Sequence, residues 1–321
     1  MDIKIELEQP EKVDLTAIGL IASGYDLYSK TDPCIPQLAN EIIDQFKGEE
    51  RIKNYFARAR SNQVQVNPYW PKGSGIMAAS LFVSEDYSSF DLDHYSQFER
   101  ESNSSALWNN RDYLNWVLGL KEMLRDIRDF PATSAILKTI AAIIKRRRAT
   151  IYKQLTDAKQ IISEFINDSF DPGNMVFIPN VLQAPESTDY VRKENTLYVL
   201  AVSPDHSSLI HELLHSCLLP HRDQIQSLVQ LNGIQQCFEP QKLRELGYSW
   251  DESFDSTIRC VEESLVRSLT EIASPKSYQE KKASLQYLSK QGFLVATKFI
   301  PLVGIPIRSS DLPEILNKLL C

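Results

Sequence analysis

The sequence predicts an α+β protein that is mostly α-helical and carries a small mixed sheet in its second half. Three observations lead to this prediction. Apolar residues recur at helical spacing along most of the 321 residues. Two segments of the second half, 175–178 and 195–203, are rich in β-branched and aromatic residues, as strands are. A Pro-Gly turn at 171–174 separates the preceding helices from these strands.

The expected organisation is an N-terminal, mainly helical region, residues 1–100, packed on a core of residues 101–321. Within the first region, residues 11–60 have the spacing of two or three helices, the first of them capped by Asp14. Prolines and glycines then predict a loop with β-like runs beside it, followed by an irregular segment. The β-like runs are 64–66 and 77–83, and the irregular segment is 86–103.

The core region is predicted to contain helices before and after its strands. Two of them, 107–128 and 133–170, precede the strands. Directly after the second strand, Ser203 and Pro204 provide an N-cap and a first-turn proline for a helix that ends before Pro220. Further helices and a C-terminal tail are expected after that. The later helices are expected near 225–238, 251–273 and 277–289.

Composition excludes several classes of function. The net charge of −7 argues against a broad nucleic-acid or anionic-membrane surface. No apolar run is long enough to span a membrane, and the first residues contain no apolar core of a signal peptide. The five cysteines form no Cys-x-x-Cys pair, which favours reduced thiols. We therefore expect a cytoplasmic protein with no nucleic-acid or membrane partner.

The residues that indicate chemistry lie in the helix after Pro204. His211-Glu212-Leu-Leu-His215 places two histidines about 40° apart around a helix, so both rings can face one metal ion. Neutral imidazole is a good ligand for Zn²⁺, which takes three protein ligands in catalytic sites and leaves a fourth position for water. Glu212, next to the first histidine, is placed to act as a general base on that water.

A third metal ligand is needed, and the residues alone leave its identity open. The chain has no His-x-x-Gly-x-x-His continuation, and Cys217 points to another side of the helix. His221 is one alternative, and a carboxylate on a later helix is the other. Glu262 falls at the margin of the apolar stripe of that helix, where a buried carboxylate must be paired or metal-bound. Glu263 lies on its polar side, with Arg267 one turn further on.

These segments together resemble an uncharacterised bacterial zincin-like family of unknown function, whose members are similar to gluzincin metallopeptidases. The likeness rests on Ser208-Leu-Ile-His-Glu-Leu-Leu-His-Ser216, the strands before it, and Tyr248-Ser-Trp250 leading to Glu263-Ser-Leu-Val-Arg-Ser268. It implies a zincin-like core, with His211, His215 and Glu263 as the Zn²⁺ ligands and Glu212 as the base. The chain departs from the family at Leu219-Pro220, where members often have an Asn-Pro turn.

The resemblance also implies an activity, the hydrolysis of peptide or protein substrates by a zinc-activated water. Strand 195–203 is expected to form the rim of the cleft and to offer an exposed edge to an extended peptide. Tyr248 and His221 are candidate donors to the oxyanion, with Tyr190 and Tyr198 as further alternatives. The competing hypothesis is a non-catalytic zincin-like protein that binds metal for structure or serves as an interaction module. Glu212 distinguishes the two, because a structural site does not need it.

Overall fold

The computed structural model describes residues 5–60, 74–102, 111–165, 174–185, 188–204, 206–218, 221–232, 238–245, 254–305 and 311–320. The chain divides into two compact units. The first, here called the sheet unit, comprises Ile5–Tyr152 and Asn174–Pro204. The second, the helical unit, comprises Met1–Lys4, Lys153–Gly173 and Asp205–Cys321. Each unit has its own buried core, and the described residues are mostly helical.

The sheet unit contains a mixed four-stranded sheet, as the sequence predicted. Its strands are β1 (Ile5–Leu7), β2 (Asn174–Pro179), β3 (Thr188–Lys193) and β4 (Thr196–Ala201). The spatial order is β1-β2-β4-β3, with β2 parallel to β1 and to β4, and β3 antiparallel to β4. β2 and β4 lie where strands were predicted, whereas β1 and β3 were not predicted.

The expectation that strand 195–203 has a free edge is wrong. β4 is an interior strand, because β2 pairs with it on one side over Asn174–Pro179 and β3 pairs with it on the other over Thr188–Lys193. Its main-chain groups are therefore already used within the sheet, and an extended peptide cannot add to it. The edges of this sheet are β1 and β3.

The division of the chain into units differs from the expected boundary at residue 100. The physical reason lies in the sheet, because β1 comes from the N-terminal segment and pairs with β2, whose Met175 lies opposite Ile5. The described residues of the first hundred therefore share a hydrophobic core with Val176, Ile178, Val191 and Leu200 of the strands. A parallel strand pair needs a long crossover, so residues far apart in sequence meet in one unit.

Eight helices are described wholly or mainly within the sheet unit. They are α1 (Glu11–Ala22), α2 (Cys34–Gln45), α3 (Glu50–Ala57), α4 (Ser74–Ser80), α5 (Leu92–Ser102), α6 (Arg111–Leu118), α7 (Leu120–Asp129) and α8 (Thr133–Phe165). A 3-10 turn, Arg58–Arg60, follows α3. The last residues of α8, from Lys153, belong to the helical unit. Two or three helices were predicted for 11–60, and the structure has three.

Helix α1 is buried from Lys12 to Ala22 and forms the centre of the sheet unit. It begins at Glu11 after Pro10, so Asp14 is its fourth residue and is not the cap that the sequence suggested. Gly19 allows close packing, because a Cβ at this position would lie 2.3 to 2.6 Å from ring atoms of Phe56. The helix is therefore surrounded by packed side chains on all sides.

Two predictions of non-helical structure are wrong. The run predicted as β-like, 77–83, contains the last turn of helix α4. Its only strand-like feature is a single bridge between Val83 and Phe90. The small residues around Met77 are good helix formers, which explains the difference. The segment 86–103 contains α5, whose N-terminus is stabilised because a carboxylate oxygen of Asp91 accepts the His94 N–H at 3.3 Å. The β-like run at 64–66 lies outside the described residues.

The helical unit contains six further helices and a 3-10 helix among its described residues. They are α9 (His206–Leu218), α10 (Arg222–Asn232), α11 (Pro240–Glu245), α12 (Phe254–Ala273), α13 (Tyr278–Lys290), the 3-10 helix Leu294–Leu302, and α14 (Leu312–Leu320). α9 and the 3-10 helix both pack against α12, which is the central helix of this unit. Across the described parts of the chain, we found no helix with the length and apolar character of a membrane span.

Candidate metal centre

Helix α9 positions the two histidines of the motif as the sequence predicted. Its apolar residues Leu209, Ile210, Leu213 and Leu214 are all buried and fix the helix in the unit. His211 and His215 lie one helical turn apart on the same side, with their ring centroids 4.9 Å apart and their planes nearly perpendicular. The apolar face thus determines the direction in which both imidazoles point.

Helix α12 presents the acidic residue that meets them. Its apolar stripe is buried, and two serines in the core donate their hydroxyl hydrogens to carbonyls of the preceding turn, Ser264 to Cys260 and Ser268 to Ser264. These hydroxyls need no partner from another helix, because each one is satisfied within α12. A stable, well-packed α12 therefore holds Glu263 in a fixed position opposite α9.

Three side-chain atoms converge between α9 and α12. The Nε2 atoms of His211 and His215 are 3.2 Å apart, and Glu263 Oε2 lies 3.7 Å from the first and 3.4 Å from the second. Within the described residues, this is the group of His, Cys, Asp and Glu side chains whose arrangement could hold a metal ion. The chain therefore contains a candidate metal centre formed by His211, His215 and Glu263.

The spacing of these three atoms matches a tetrahedral metal site. With metal–ligand bonds of about 2.0 to 2.2 Å, neighbouring ligand atoms in a tetrahedron are about 3.3 to 3.6 Å apart. The observed separations of 3.2, 3.4 and 3.7 Å lie within about 0.1 Å of that range. Each histidine side chain is 20% exposed and Glu263 is 13% exposed, so the cluster is largely buried but not closed to solvent. Three ligands and an accessible fourth position are typical of catalytic metal sites.

The structure separates the two carboxylates between which the sequence could not choose. Glu263 joins the histidines, and its other oxygen, Oε1, accepts a hydrogen bond from Arg267 Nε at 2.6 Å. Glu262 faces a different helix, where both of its oxygens contact Arg222 at 2.9 and 3.3 Å. It is 16% exposed, so its charge is largely buried but paired. Glu263 therefore completes the cluster, and Glu262 does not.

The pKa shifts follow from this arrangement. Burial lowers the pKa of His211 to about 4, which leaves the ring neutral at pH 7, as a metal ligand must be. Burial acts to raise the pKa of Glu263, but His211, His215 and Arg267 outweigh it and hold this pKa well below its usual range. Burial also acts to lower the pKa of His215, but Glu263 outweighs it, so the pKa is raised. The ionised Glu263 thus favours a cation at this place.

The other candidate residues have varied positions. Glu212 is 5% exposed, and its negative charge acts to raise the pKa of His215. Cys217 is buried in the core, as predicted, and is not part of the cluster. His221 is described, and the cluster does not include it. Tyr248 lies outside the described residues. Tyr190 and Tyr198 belong to β3 and β4 of the sheet unit.

Comparisons of this chain with protein-family models, curated proteins and solved structures found no match. The resemblance to a zincin-like family therefore stays a prediction from the motif residues. The structure adds the distances among His211, His215 and Glu263, which are observed in this chain and require no homologous protein.

Two contacts around the cluster were not predicted from the sequence. Arg222, the first residue of α10, neutralises Glu262, and Phe293 lies under the guanidinium of Arg267, with its ring centroid 5.0 Å from the guanidinium carbon. Neither contact can be predicted from neighbouring residues, because its two partners are far apart in the sequence. The contact of Arg267 with Glu263 could be predicted, since the two residues are four apart on the same helix.

Proposed function

We propose that this protein is a zinc-dependent peptidase of the gluzincin type. The observation that supports the proposal best is the convergence of His211, His215 and Glu263 with the edge lengths of a tetrahedral site. Two imidazoles and one carboxylate are a ligand set of known catalytic zinc sites. When bound there, Zn²⁺ supplies Lewis acidity and lowers the pKa of a coordinated water towards neutrality.

Glu212 is the proposed general base. It directly follows His211 in the chain, it is almost completely buried, and its negative charge acts on His215. Its carboxylate accepts a proton from the attacking water and returns it to the leaving amine nitrogen, as general acid–base catalysis of peptide hydrolysis requires. His211 and His215 orient the site, and Glu263 provides its fixed negative charge.

The alternative is a protein that binds metal without catalysis. The same three ligands would serve such a role, so the ligand cluster does not discriminate between the two. Two features favour catalysis. The cluster is partly exposed, and a buried carboxylate that is not one of its three ligands, Glu212, directly follows His211 in α9. A purely structural zinc site is normally closed by four protein ligands.

The test combines metal analysis with peptide hydrolysis. We expect the purified protein to contain close to one zinc per chain and to cleave a dye-labelled casein. Glu212→Gln should keep its zinc and lose activity by about 100- to 10,000-fold, the usual contribution of a general base. The matched control is Glu314→Gln, the same substitution at an exposed helical site, which should retain full activity.

Two results would contradict the proposal. Cleavage by Glu212→Gln at the wild-type rate would exclude the mechanism. A folded wild-type protein that takes up no zinc would exclude the metal centre itself. Zinc retention without cleavage of any peptide library would support the non-catalytic alternative. Iron in place of zinc would mean that the site is an iron site, since the same ligand types also bind ferrous iron.

A further inference from the structure

We infer that Arg267 is a positioning residue that keeps Glu263 a one-oxygen ligand and so keeps the fourth metal position open for water. This inference rests on the metal centre of the proposed function and deepens it. A carboxylate can bind a metal through one oxygen or through two. The number of oxygens used by Glu263 determines how many positions remain for water.

The two oxygens of Glu263 have different partners. Oε2 faces the histidines, at 3.4 Å from His215 Nε2 and 3.7 Å from His211 Nε2. Oε1 accepts the hydrogen bond from Arg267 Nε at 2.6 Å. A charge-assisted hydrogen bond of this length is among the stronger ones in proteins. Oε1 is therefore held on the arginine, and only Oε2 is directed at the metal position.

Arg267 itself is held in place by the core. Its guanidinium carbon lies 5.0 Å from the ring centroid of Phe293, a distance at which a cation and an aromatic face attract each other. Phe293 is completely buried and directly precedes the 3-10 helix, Leu294–Leu302, that packs against α12. The arginine is thus fixed from two sides, by Glu263 and by Phe293. It can therefore fix the carboxylate in turn.

The consequence concerns the reactive position. If Oε1 were released, the carboxylate could rotate and offer both oxygens, and the second oxygen would compete with water. Arg267 also offsets the negative charge of Glu263, so that the ligand set with two neutral imidazoles carries little net charge. Less charge donated by the ligands leaves a bound cation more electrophilic. Both effects of Arg267 favour catalysis over tight, closed binding.

The experiment uses Co²⁺ in place of Zn²⁺, because the visible absorption of Co²⁺ weakens as its coordination number rises. We compare the full-length wild-type protein with Arg267→Met, which keeps the length of the side chain without its charge. We expect Arg267→Met, fully loaded, to absorb less strongly than wild type. Its kcat on casein should fall about 10- to 100-fold, as for other outer-shell changes, with KM unchanged.

Two further variants make the test decisive. Arg267→Lys keeps a positive charge four residues after Glu263 and should restore the wild-type spectrum. Phe293→Leu loosens the arginine without removing it and should shift the spectrum in the same direction as Arg267→Met, but less. If Arg267→Met does not fold, Phe293→Leu and Arg267→Lys decide the question, and unchanged spectra for Phe293→Leu would overturn the inference.

The outcomes also separate this inference from the proposed function. A wild-type protein that binds no Co²⁺ overturns both. A wild-type protein that binds Co²⁺, with an identical spectrum and kcat in Arg267→Met, overturns only the role of Arg267. Weaker absorption in Arg267→Met that Arg267→Lys reverses supports it, because a merely structural role of the side chain would not alter the coordination number.

Discussion

Two buried carboxyl groups, one in each unit, have opposite electrostatic properties. Asp14 in α1 of the sheet unit is 5% exposed, and burial raises its pKa from 3.8 to about 7. Its carboxylate accepts a hydrogen bond from the side-chain amide of Gln9 at 2.9 Å. Glu263 in α12 of the helical unit is 13% exposed, yet its pKa is held well below its usual range. Similar burial thus leaves one carboxyl easily protonated and the other ionised.

The difference shows what burial alone does and what a site must add. Removing a carboxylate from water favours its neutral form, and one neutral amide does not reverse this. Glu263 stays ionised because two imidazoles and a guanidinium surround it. Keeping a buried charge requires charged or hydrogen-bonding partners, and the two histidines beside Glu263 distinguish it from a simple ion pair such as that of Glu262 with Arg222.

The largest expected effect is the loss of metal binding when Glu263 is neutralised. Four-ligand zinc sites bind with about 10 to 16 kcal/mol, so each ligand accounts for up to about 4 kcal/mol, and Glu263→Gln should lower the affinity by up to roughly 1,000-fold. Glu262→Gln is the matched control, because it changes the neighbouring carboxylate, which faces Arg222. Competition with a chromogenic chelator measures both. Equal losses in the two variants would contradict the assignment of the third ligand.

The next largest effect concerns the pH dependence that Asp14 confers. Its pKa in the folded chain, about 7, lies above the unfolded value of 3.8, so the folded state holds the proton more tightly. The free energy of unfolding should therefore fall as pH rises from about 4 to about 7, by up to about 4 kcal/mol, and stay level above that. Asp14→Asn should remove this slope and be more stable at pH 8. Urea unfolding from pH 4 to 8 measures it.

The control for Asp14 is Asp44→Asn, at an exposed position of α2 in the same unit. It should keep the slope of the wild type. If Asp14→Asn also kept that slope, the titrating group would be another residue. The raised pKa of Asp14, on which the comparison with Glu263 depends, would then be contradicted.

A smaller effect is expected from the close packing of α1. Gly19→Ala adds a methyl group that would lie 2.3 to 2.6 Å from the ring of Phe56. Overpacking of this kind typically costs about 1 to 3 kcal/mol, which should exceed the gain in helix propensity. Gly48→Ala, where a Cβ would meet no atom within 4 Å, is the control and should be nearly neutral. Comparable stability of the two variants would mean that the surroundings of α1 can relax.

The smallest effect should come from an exposed ion pair with the same spacing as Glu263 and Arg267. Glu314 and Lys318 are also four residues apart, with a 2.6 Å contact, but their side chains are 73% and 68% exposed. A double-mutant cycle with Glu314→Gln and Lys318→Met should give about 0.3 to 0.5 kcal/mol. A coupling as large as that expected at a buried pair would show that burial is not what distinguishes Glu263.

The parts of the fold that the sequence predicted are those encoded by local signals. Helix α9 has a proline near its start and a continuous apolar face, and its two histidines follow from helical geometry alone. Strands β2 and β4 are rich in β-branched and aromatic residues because they lie inside the sheet. In each case one short stretch of chain contains the whole signal.

The parts that the sequence did not predict depend on distant partners. β3 is an edge strand with the polar sequence Thr-Asp-Tyr-Val-Arg-Lys, and β1 has three residues, so neither stands out by itself. The residues alone left the choice between Glu262 and Glu263 open for the same reason. Periodicity separates the apolar stripe of α12 from its polar side, but it does not reveal that α9 covers one part of that side and Arg222 another.

His215 and Glu263 belong to two helices that are separated by a long stretch of chain, α9 and α12. The ligand set therefore exists only while these helices are docked, and a metal ion bound there stabilises the docked state by mass action. At a free metal concentration of 100 times the dissociation constant, this linkage amounts to about 2.7 kcal/mol. Amide hydrogens of α9 and α12 should accordingly exchange more slowly with metal than with a chelator. Metal supply would then control the lifetime of this unit as well as its chemistry.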